Sequence, residues 1–469
     1  MTVRPPARRI DPSSPGRHDS SVNRRTFLRS TVAAVAATHL PVRSLAARPH
    51  PTAEQLAWQR NELSLFLHFG INTFTDQEWG DGTEDPTLFA PLDLDARQWV
   101  RAARAAGFRA VILTAKHHDG FCLWPTATTR HSVQASPWRN GDGDVVAELS
   151  QACRAERLGM GLYLSPWDRN APSYGDGPRY NDFYCDQLGE LLTRYGPVTE
   201  VWFDGANGEG TSGPRQAYDW PRFHQVVRRY QPGALIFSDS GPDLRWTGNE
   251  RGAAGDPNWC TVDPDVVPYP GAGGPDVIDM LQHGDPDGSA WRPAEADVSI
   301  RPGWFWHPAE DDRVRSGAQI LDLYFQSAGR NAGLLLNVPP TRAGQLHEQD
   351  LRSLVEFGEL RGRIFQRDLT VGALRMQSDD GRRIQLRLPN PVEFDVIAIQ
   401  EDIRHGQAVS AHHVEALIRG EWRTVAEGTT IGNKRLHKVS PTPATQIRLV
   451  IEAALAVPRI GRISLHQTG

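Results

Sequence analysis

The sequence predicts a (β/α)8-type barrel followed by a C-terminal antiparallel β-sandwich. Three observations carry that expectation. Short apolar runs end abruptly in ionisable side chains: Ala110 to Ala115 leads into Lys116-His117-His118-Asp119-Gly120-Phe121, and Val201 to Phe203 leads into Asp204-Gly205-Ala206. Buried strands of a parallel barrel read as such nearly continuous runs, and the chemistry of such barrels sits at the strands' C-terminal ends. Strand-like and helix-like runs alternate about eight times without a Gly-rich phosphate-cradling loop, which favours a closed barrel over a doubly wound sheet. Beyond a helix-like run at Asp350 to Leu360 the texture changes to short β-like runs separated by turn residues.

The elements follow in order. Asn23-Arg24-Arg25-Thr26-Phe27-Leu28-Arg29 is a twin-arginine pattern, followed by small apolar residues and Ser44-Leu45-Ala46-Ala47. Charged region, apolar region and small-residue cleavage site are the parts of an export signal. Residues 1–47 are therefore expected to be a twin-arginine signal, with the mature protein extracellular, periplasmic or attached to the cell envelope. The apolar stretch is too short to span a bilayer. The barrel is expected over 48–362 and the sandwich over 363–469.

Leu63 to Phe69 reads as the first strand, and Asp95 to Ala106 as a helix stopped by Gly107. Ala110 to Ala115 is the second strand, Val145 to Arg157 a helix, and Met160 to Leu164 the third strand. A helix over Tyr180 to Tyr195 precedes the fourth strand at Glu200 to Phe203, and a helix over Trp220 to Tyr230 precedes the fifth at Leu235 to Phe237. Between Asp239 and Asp297 the alternation dissolves into a Gly/Pro-rich stretch, longer than ordinary connections. It is either a functional loop system or a pair of irregular barrel elements. Val298 to Arg301 and Gly333 to Val338 read as strands, with a helix between them at Arg313 to Ser327. Arg383 to Leu388, Val396 to Gln400, His413 to Ile418 and Gln446 to Ile451 read as sandwich strands.

Composition narrows the function. The chain has 469 residues, 39% hydrophobic and 23% charged, enough for a large barrel and a second domain. A formal net charge of -5 gives no sign of a nucleic-acid partner. The four cysteines, Cys122, Cys153, Cys185 and Cys260, are scattered without C-x-x-C spacing, so neither a zinc site nor a disulfide framework is indicated. Fourteen tryptophans are many for this length, and indole faces pack well against the C–H faces of a sugar.

Several segments together resemble glycoside hydrolase family 29, the α-L-fucosidases. They are His68-Phe69-Gly70, Glu78-Trp79-Gly80-Asp81-Gly82, Lys116 to Phe121, Leu162 to Trp167, Trp202 to Ala206, Gly248-Asn249-Glu250, and Ser299 to Phe305. The likeness runs from about Trp58 to Pro340. Trp246 to Glu250 and Ser299 to Trp306 look more like the branch acting on α-1,3/1,4-linked fucose.

The resemblance implies a retaining exo-glycosidase that needs no cofactor or metal and takes a fucosylated oligosaccharide or glycoconjugate as substrate. Asp204 matches the nucleophile, since a strand-end carboxylate can attack an anomeric carbon. Glu250 matches the acid/base of the α-1,3/1,4 branch, and Glu295 is its rival, because elsewhere in the family the acid comes from a region near it. His68, His117 and His118 match fucose-binding histidines, and Glu78 and Trp79 match a ligand-binding pair. Tyr163, Trp167, Trp304 and Trp306 are further candidates for the sugar site, Trp304 as a wall and Trp167 and Trp306 toward the leaving sugar. Successive strand residues point in opposite directions, so a His-His pair sends one ring to the sugar unless the backbone turns there.

The residues by themselves leave other readings open. They are a retaining glycosidase for another sugar, a non-catalytic carbohydrate-binding protein on the same fold, and a metal-dependent hydrolase using His68, His117, His118 and Asp204. The last lacks an H-x-H pair on the first strand and an H-E-x-x-H helix.

Overall fold

Eight parallel strands form a ring in the computed structural model, which describes residues 48–209 and 215–468. The twin-arginine signal expected over 1–47 lies outside the described residues. The strands are β1 (Leu63–Leu67), β2 (Ala110–Lys116), β3 (Gly159–Leu164), β4 (Glu200–Trp202), β5 (Leu235–Phe237), β6 (Arg245–Trp246), β7 (Ala294–Ser299) and β8 (Gly333–Asn337). Their order around the ring is β5-β4-β3-β2-β1-β8-β7-β6, and a single parallel bridge, Phe237 to Leu244, closes it.

Strand alternation sorts the side chains into two layers. Phe66, Ile112, Tyr163, Trp202, Phe237 and Leu335 fill the barrel interior. Their neighbours Leu65, Leu67, Val111, Leu113, Leu162, Val201, Ile236 and Leu336 belong to the larger core beneath the helices. Those helices start where the sequence offers caps. Asp95 Oδ1 accepts from Gln98 N at 3.0 Å ahead of Ala96–Ala106, and Asp144 Oδ1 accepts from Ala147 N at 2.8 Å ahead of Val145–Glu156. Gly107, at φ +94°, ends the first of these in the left-handed conformation that glycine adopts without strain.

The stretch that resists reading, 239–297, holds the barrel's irregularity. No helix joins β5 to β6; a loop tied by Ser238 Oγ donating to Gly241 O (2.5 Å) and Leu244 N donating to Ile236 O (3.1 Å) replaces it. After β6 come an antiparallel pair, Thr261–Val262 with Ala290–Trp291, and the helix Pro275–His283. The next strand, β7, begins at Ala294, four residues before the expected Val298. Its inward positions are Glu295, Asp297 and Ser299, and these interrupt the apolar run by which a barrel strand is recognised.

C-terminal to the helix Glu348–Phe365 lies a six-stranded antiparallel sheet: β9 (Leu374–Gln377), β10 (Arg383–Glu401), β11 (Val409–Ile418), β12 (Glu421–Gly428), β13 (Arg435–Ala454) and β14 (Ile460–His466). The long strands β10 and β13 pair with each other through two register slips, between Arg387 and Val392 and between Phe394 and Val396. Bulges of this kind bend strands. Here they let β10 and β13 wrap a separate core of Ile384, Phe394, Ile397, Val414, Ile447 and Leu465.

Polar contacts lock this sheet onto the barrel. Arg435 pairs with Asp256 at 2.8 Å, and Leu436 N donates to Gly329 O at 2.9 Å. Lys434 pairs with the buried Glu62 and donates to Tyr324 OH at 3.1 Å, while Asn433 Nδ2 donates to Gln59 O at 2.8 Å. Removing one partner of a buried ion pair costs about 3–5 kcal/mol. A chain ending at Phe365 is therefore expected to lose the folded barrel, read as insolubility or loss of a cooperative melt; a soluble, cooperatively melting 48–365 fragment would contradict this.

Candidate active site

A cavity of about 420 Å³ opens at the C-terminal ends of the barrel strands. That size is ordinary for a small-molecule site. Phe66, His68, Glu78, Trp79, His117, His118, Tyr163, Trp202, Asp204, Ala206, Glu250, Asp297 and Trp304 line it, and no lining residue comes from the C-terminal sheet. A larger groove of about 780 Å³ runs between the helices Gly177–Arg194 and Trp220–Tyr230 on the barrel's outer surface, away from the strand ends.

The end of β2 sets the histidines. Lys116 points outward, where its fully buried ammonium pairs with Asp168 (2.8 Å) and donates to Gln187 Oε1 (2.9 Å). Beyond it the chain turns: Gly120 N donates to His117 O at 3.0 Å, with Gly120 at φ +82°. The turn overrides strand alternation, and both rings reach the cavity with centroids 4.1 Å apart.

Two of the histidines have assigned tautomers. Asn337 Nδ2 donates to Ser299 Oγ (2.9 Å) and to Trp304 O (2.8 Å), so its Oδ1 is the acceptor for His68 N (3.1 Å) and His68 Nδ1 (2.9 Å). Ser165 Oγ donates to Trp167 O (2.6 Å) and therefore accepts from His118 Nδ1 (2.7 Å). Both imidazoles are left with Nε2 as a bare acceptor. Burial lowers all three histidine pKa values, that of His68 to about 4, so the rings are neutral at physiological pH.

Asp204 follows β4. Its Oδ1 accepts from Ala206 N (2.7 Å) and its Oδ2 from the Tyr163 hydroxyl (3.0 Å), with His118 Nε2 3.9 Å away. These bonds fix the carboxylate's direction. Glu250 stands at the exposed rim on the loop after β6. That loop is pinned to β7 by Thr247 N donating to Glu295 O (3.1 Å) and Gly252 N donating to Asp297 O (3.0 Å). Desolvation of the Glu250 carboxyl, with Asp204 and Glu78 nearby, raises its pKa against the opposing hydrogen bond from the Trp304 indole. Asp204 and Glu250 thus share one cavity in different surroundings.

Glu78 lines the cavity with its oxygens already engaged. They accept from the Trp304 and Phe305 amides and lie 2.9 Å from His307 Nε2, whose Nδ1 lies 2.8 Å from Asp76 Oδ1. Trp79 is 59% exposed at the mouth, edge-on to both His118 and Trp167. Trp167 borders the mouth, its ring 5.0 Å from His118. Trp304 forms a wall, 5.1 Å from the His68 ring. Trp306 departs from the expectation: its indole turns away to donate to Asp311 Oδ1 at 3.1 Å, and it does not line the cavity.

Glu295 also departs from it. Its carboxyl is 1% exposed inside the barrel below the cavity, accepting from the Trp202 indole at 3.1 Å. It faces Glu200, which accepts from the Trp58 indole at 3.0 Å; the remaining oxygen of each acid has no other partner. Burial raises both pKa values, so the pair holds at least one proton. Such a pair supports Trp202, which stacks on Phe237 at 4.1 Å to floor the cavity.

Sequence reasoning missed Asp297, Asn337, Ser165 and His307. Only Asp297 had a readable signal, the every-second-residue spacing of Glu295, Asp297 and Ser299. Among the described residues, no group of three His, Cys, Asp or Glu side chains is arranged to hold a metal ion.

A family model described as Alpha-L-fucosidase matches residues 39–361. A relative from Oryza sativa subsp. japonica, named putative alpha-L-fucosidase 1, is 45% identical over 442 residues, covering 88% of this chain and 84% of its own. The crystal structure of a putative alpha-L-fucosidase from Bacteroides ovatus superposes with a TM-score of 0.82 at 46% identity, covering 90% of this chain and 75% of that one. A Ruminococcus gnavus GH29 fucosidase solved in complex with fucose gives a TM-score of 0.82 at 33% identity, covering 90% and 96%.

Glu295→Gln should retain turnover, because the carboxyl lies off the cavity. Raised folded-state pKa values mean that Glu295 and Glu200 take up protons on folding, so their contribution to stability falls as pH rises above the unfolded carboxyl range. The amide variant should therefore melt higher than wild type at alkaline pH, with the gap closing toward acid. Loss of activity comparable to that expected from removing Glu250 would return Glu295 to the acid/base role.

Proposed function

The chain belongs to glycoside hydrolase family 29, the α-L-fucosidases, and from that premise we propose that it releases terminal L-fucose from α-1,3/1,4-fucosylated glycans with retention of anomeric configuration. The observation that carries the mechanism is the pairing of Asp204 and Glu250 in one cavity, with the Glu250 carboxyl pushed up by desolvation and by the nearby Asp204 and Glu78. A retaining mechanism needs that division: one carboxylate as nucleophile, one carboxylic acid as proton donor.

In the first step Asp204 attacks the anomeric carbon, the glycosidic C–O bond breaks, and Glu250 gives its proton to the departing oxygen. The product is a covalent fucosyl ester. Esterification removes the negative charge of Asp204, one cause of the raised Glu250 pKa. Glu250, now ionised and relieved of that charge, takes a proton from water as the water attacks the same carbon and frees Asp204. The bare Nε2 atoms of His68 and His118 are suited to accept from the sugar's hydroxyls, and Trp304 to pack against its apolar edge. The α-1,3/1,4 preference is supported by the character of the segments at Trp246 to Glu250 and Ser299 to Trp306.

Asp204→Gly should lower turnover by about 10³-fold or more with the fold intact. Glu250→Ala should fail most on poor leaving groups and regain activity with azide, because protonation is then the missing step. A panel of 1,2-, 1,3-, 1,4- and 1,6-fucosylated oligosaccharides assayed for free fucose tests the linkage; release chiefly from the 1,2 or 1,6 members would refute it. Export by the twin-arginine route is proposed from the sequence pattern of Asn23 to Arg29, the small apolar residues after it and Ser44-Leu45-Ala46-Ala47. Replacing Arg24 and Arg25 by lysine should leave the protein in the cytoplasm of a host with that pathway, as fractionation would show; undiminished export would exclude the route.

A further inference from the structure

Two carboxyls lining the cavity, Glu78 and Asp297, have no part in the proposed mechanism; the oxygens of Glu78 are engaged by the Trp304 and Phe305 amides and His307, which leaves Asp297. It projects inward from β7 and is 4% exposed. Its Oδ1 accepts from the Trp246 indole at 2.7 Å, and its Oδ2 has no protein hydrogen bond. The charged groups that face it are acidic: Glu250 from the loop after β6 and Asp204 from the end of β4. The arginines near it in sequence or on the neighbouring strand β6 turn elsewhere. Arg245 binds Leu281 O and Asn258, Arg301 binds Asp350 and Asp311, and Arg315 binds Ser299 O.

The cavity's hydrogen-bonding inventory gives this residue a task. His68 and His118 present acceptors, and Asp204 is an acceptor. The Tyr163 hydroxyl and the Trp202, Trp246 and Trp304 indoles already donate to carboxyls, which leaves the neutral His117 ring and the Trp79 indole at the mouth as lining side chains with an N–H to spare. A sugar hydroxyl both donates and accepts, so with acceptors in excess a further donor satisfies hydroxyl oxygens that would otherwise go without, at a cost.

We propose that Asp297 is a substrate-binding residue that works as a neutral carboxylic acid, donating a hydrogen bond from its free oxygen to a hydroxyl oxygen of the sugar held beside Asp204. This rests on the fucosidase reading, which makes the cavity the sugar site. Burial, reinforced by Glu250 and Asp204, raises the Asp297 pKa to about 8, in keeping with a retained proton. The Trp246 hydrogen bond keeps the acid's other oxygen occupied and its direction fixed.

The test compares wild type, Asp297→Asn and Asp297→Ala in kcat/KM against pH on an α-1,3-fucosylated oligosaccharide, in calorimetric binding of L-fucose, and in infrared difference spectra. The Asn amide can still donate and is neutral, so it should stay within about threefold of wild type, with the alkaline limb set by Glu250 unmoved. Ala removes the donor and strands the Trp246 indole, and should weaken L-fucose binding and kcat/KM by about 10- to 100-fold. At neutral pH wild type should show a protonated-carboxyl band that the Asn variant lacks. An alkaline limb that moves toward acid in the Asn variant overturns the proposal, because it means a negative charge was removed. So does an Asn variant as weak as Ala, an Ala variant that binds L-fucose normally, or no carboxyl band. Wild type that releases no fucose from any glycan refutes the fucosidase reading separately; the infrared band and L-fucose binding, which is required of wild type, still decide the role of Asp297.

Discussion

The structure is governed by a scarcity of positive charge along the barrel axis. Glu200, Glu295, Asp297, Asp204 and Glu250 follow one another from the barrel interior to its mouth, and among the described residues no Lys or Arg lines the cavity they lead to. Buried carboxylates without cations must be protonated or heavily hydrogen-bonded. Each of these five is met by an aromatic donor: Trp58, Trp202, Trp246, Tyr163 and Trp304 respectively. An indole N–H suits this position because it satisfies one oxygen, adds no charge and keeps its ring in the apolar packing of the barrel.

That arrangement separates protonation states without ion pairs. A cation beside Glu250 would hold its pKa down and remove the proton that the leaving group needs. Neutral donors fix direction while leaving burial and mutual repulsion to raise the pKa. In the proposed mechanism the same repulsion changes when Asp204 becomes an ester, so that the chemistry itself resets its partner. A salt-bridged acid would respond less, because its cation would stay in place throughout the cycle.

How much of this the sequence disclosed depended on which face of a strand carried the signal. The Lys116 and Asp204 segments were legible because outward and inward residues are both unusual at the end of an apolar run. The helix Trp220–Tyr230 was readable to the residue, being flanked by Asp219 and Pro232 and strongly amphipathic. The Glu295 strand was not, because its inward acids look like loop residues until the facing indoles are known. Its register against β8, pairing Asp297 with Leu335, is a long-range fact with no local trace. Trp306 illustrates the opposite error: a tryptophan two residues from a true wall residue, Trp304, whose ring the chain turns toward Asp311. Nor could the tautomers of His68 and His118 be read, since they are set by Asn337 and Ser165, far away in the chain.

Full ion pairs are not absent from this protein; they lie outside the barrel wall. Lys116 meets Asp168, and Arg301 meets Asp350, both buried among helices and loops. Each stands next to inward-facing residues, Lys116 before His117 and Arg301 two residues after Ser299. Strict two-residue alternation would turn both inward, Lys116 with Ile112 and Arg301 with Ser299; the register break between Thr114 and Lys116 and the end of β7 at Ser299 turn them outward instead. These breaks place the cations in the outer layer, where they clamp the strand ends with paired charge. The inner layer is left to neutral imidazoles, indoles and protonated acids. Regular alternation carried through Lys116 or Arg301 would bring a cation onto the axis and collapse the pKa differences there. The break in alternation at these strand ends is what keeps the site electrically capable of passing a proton.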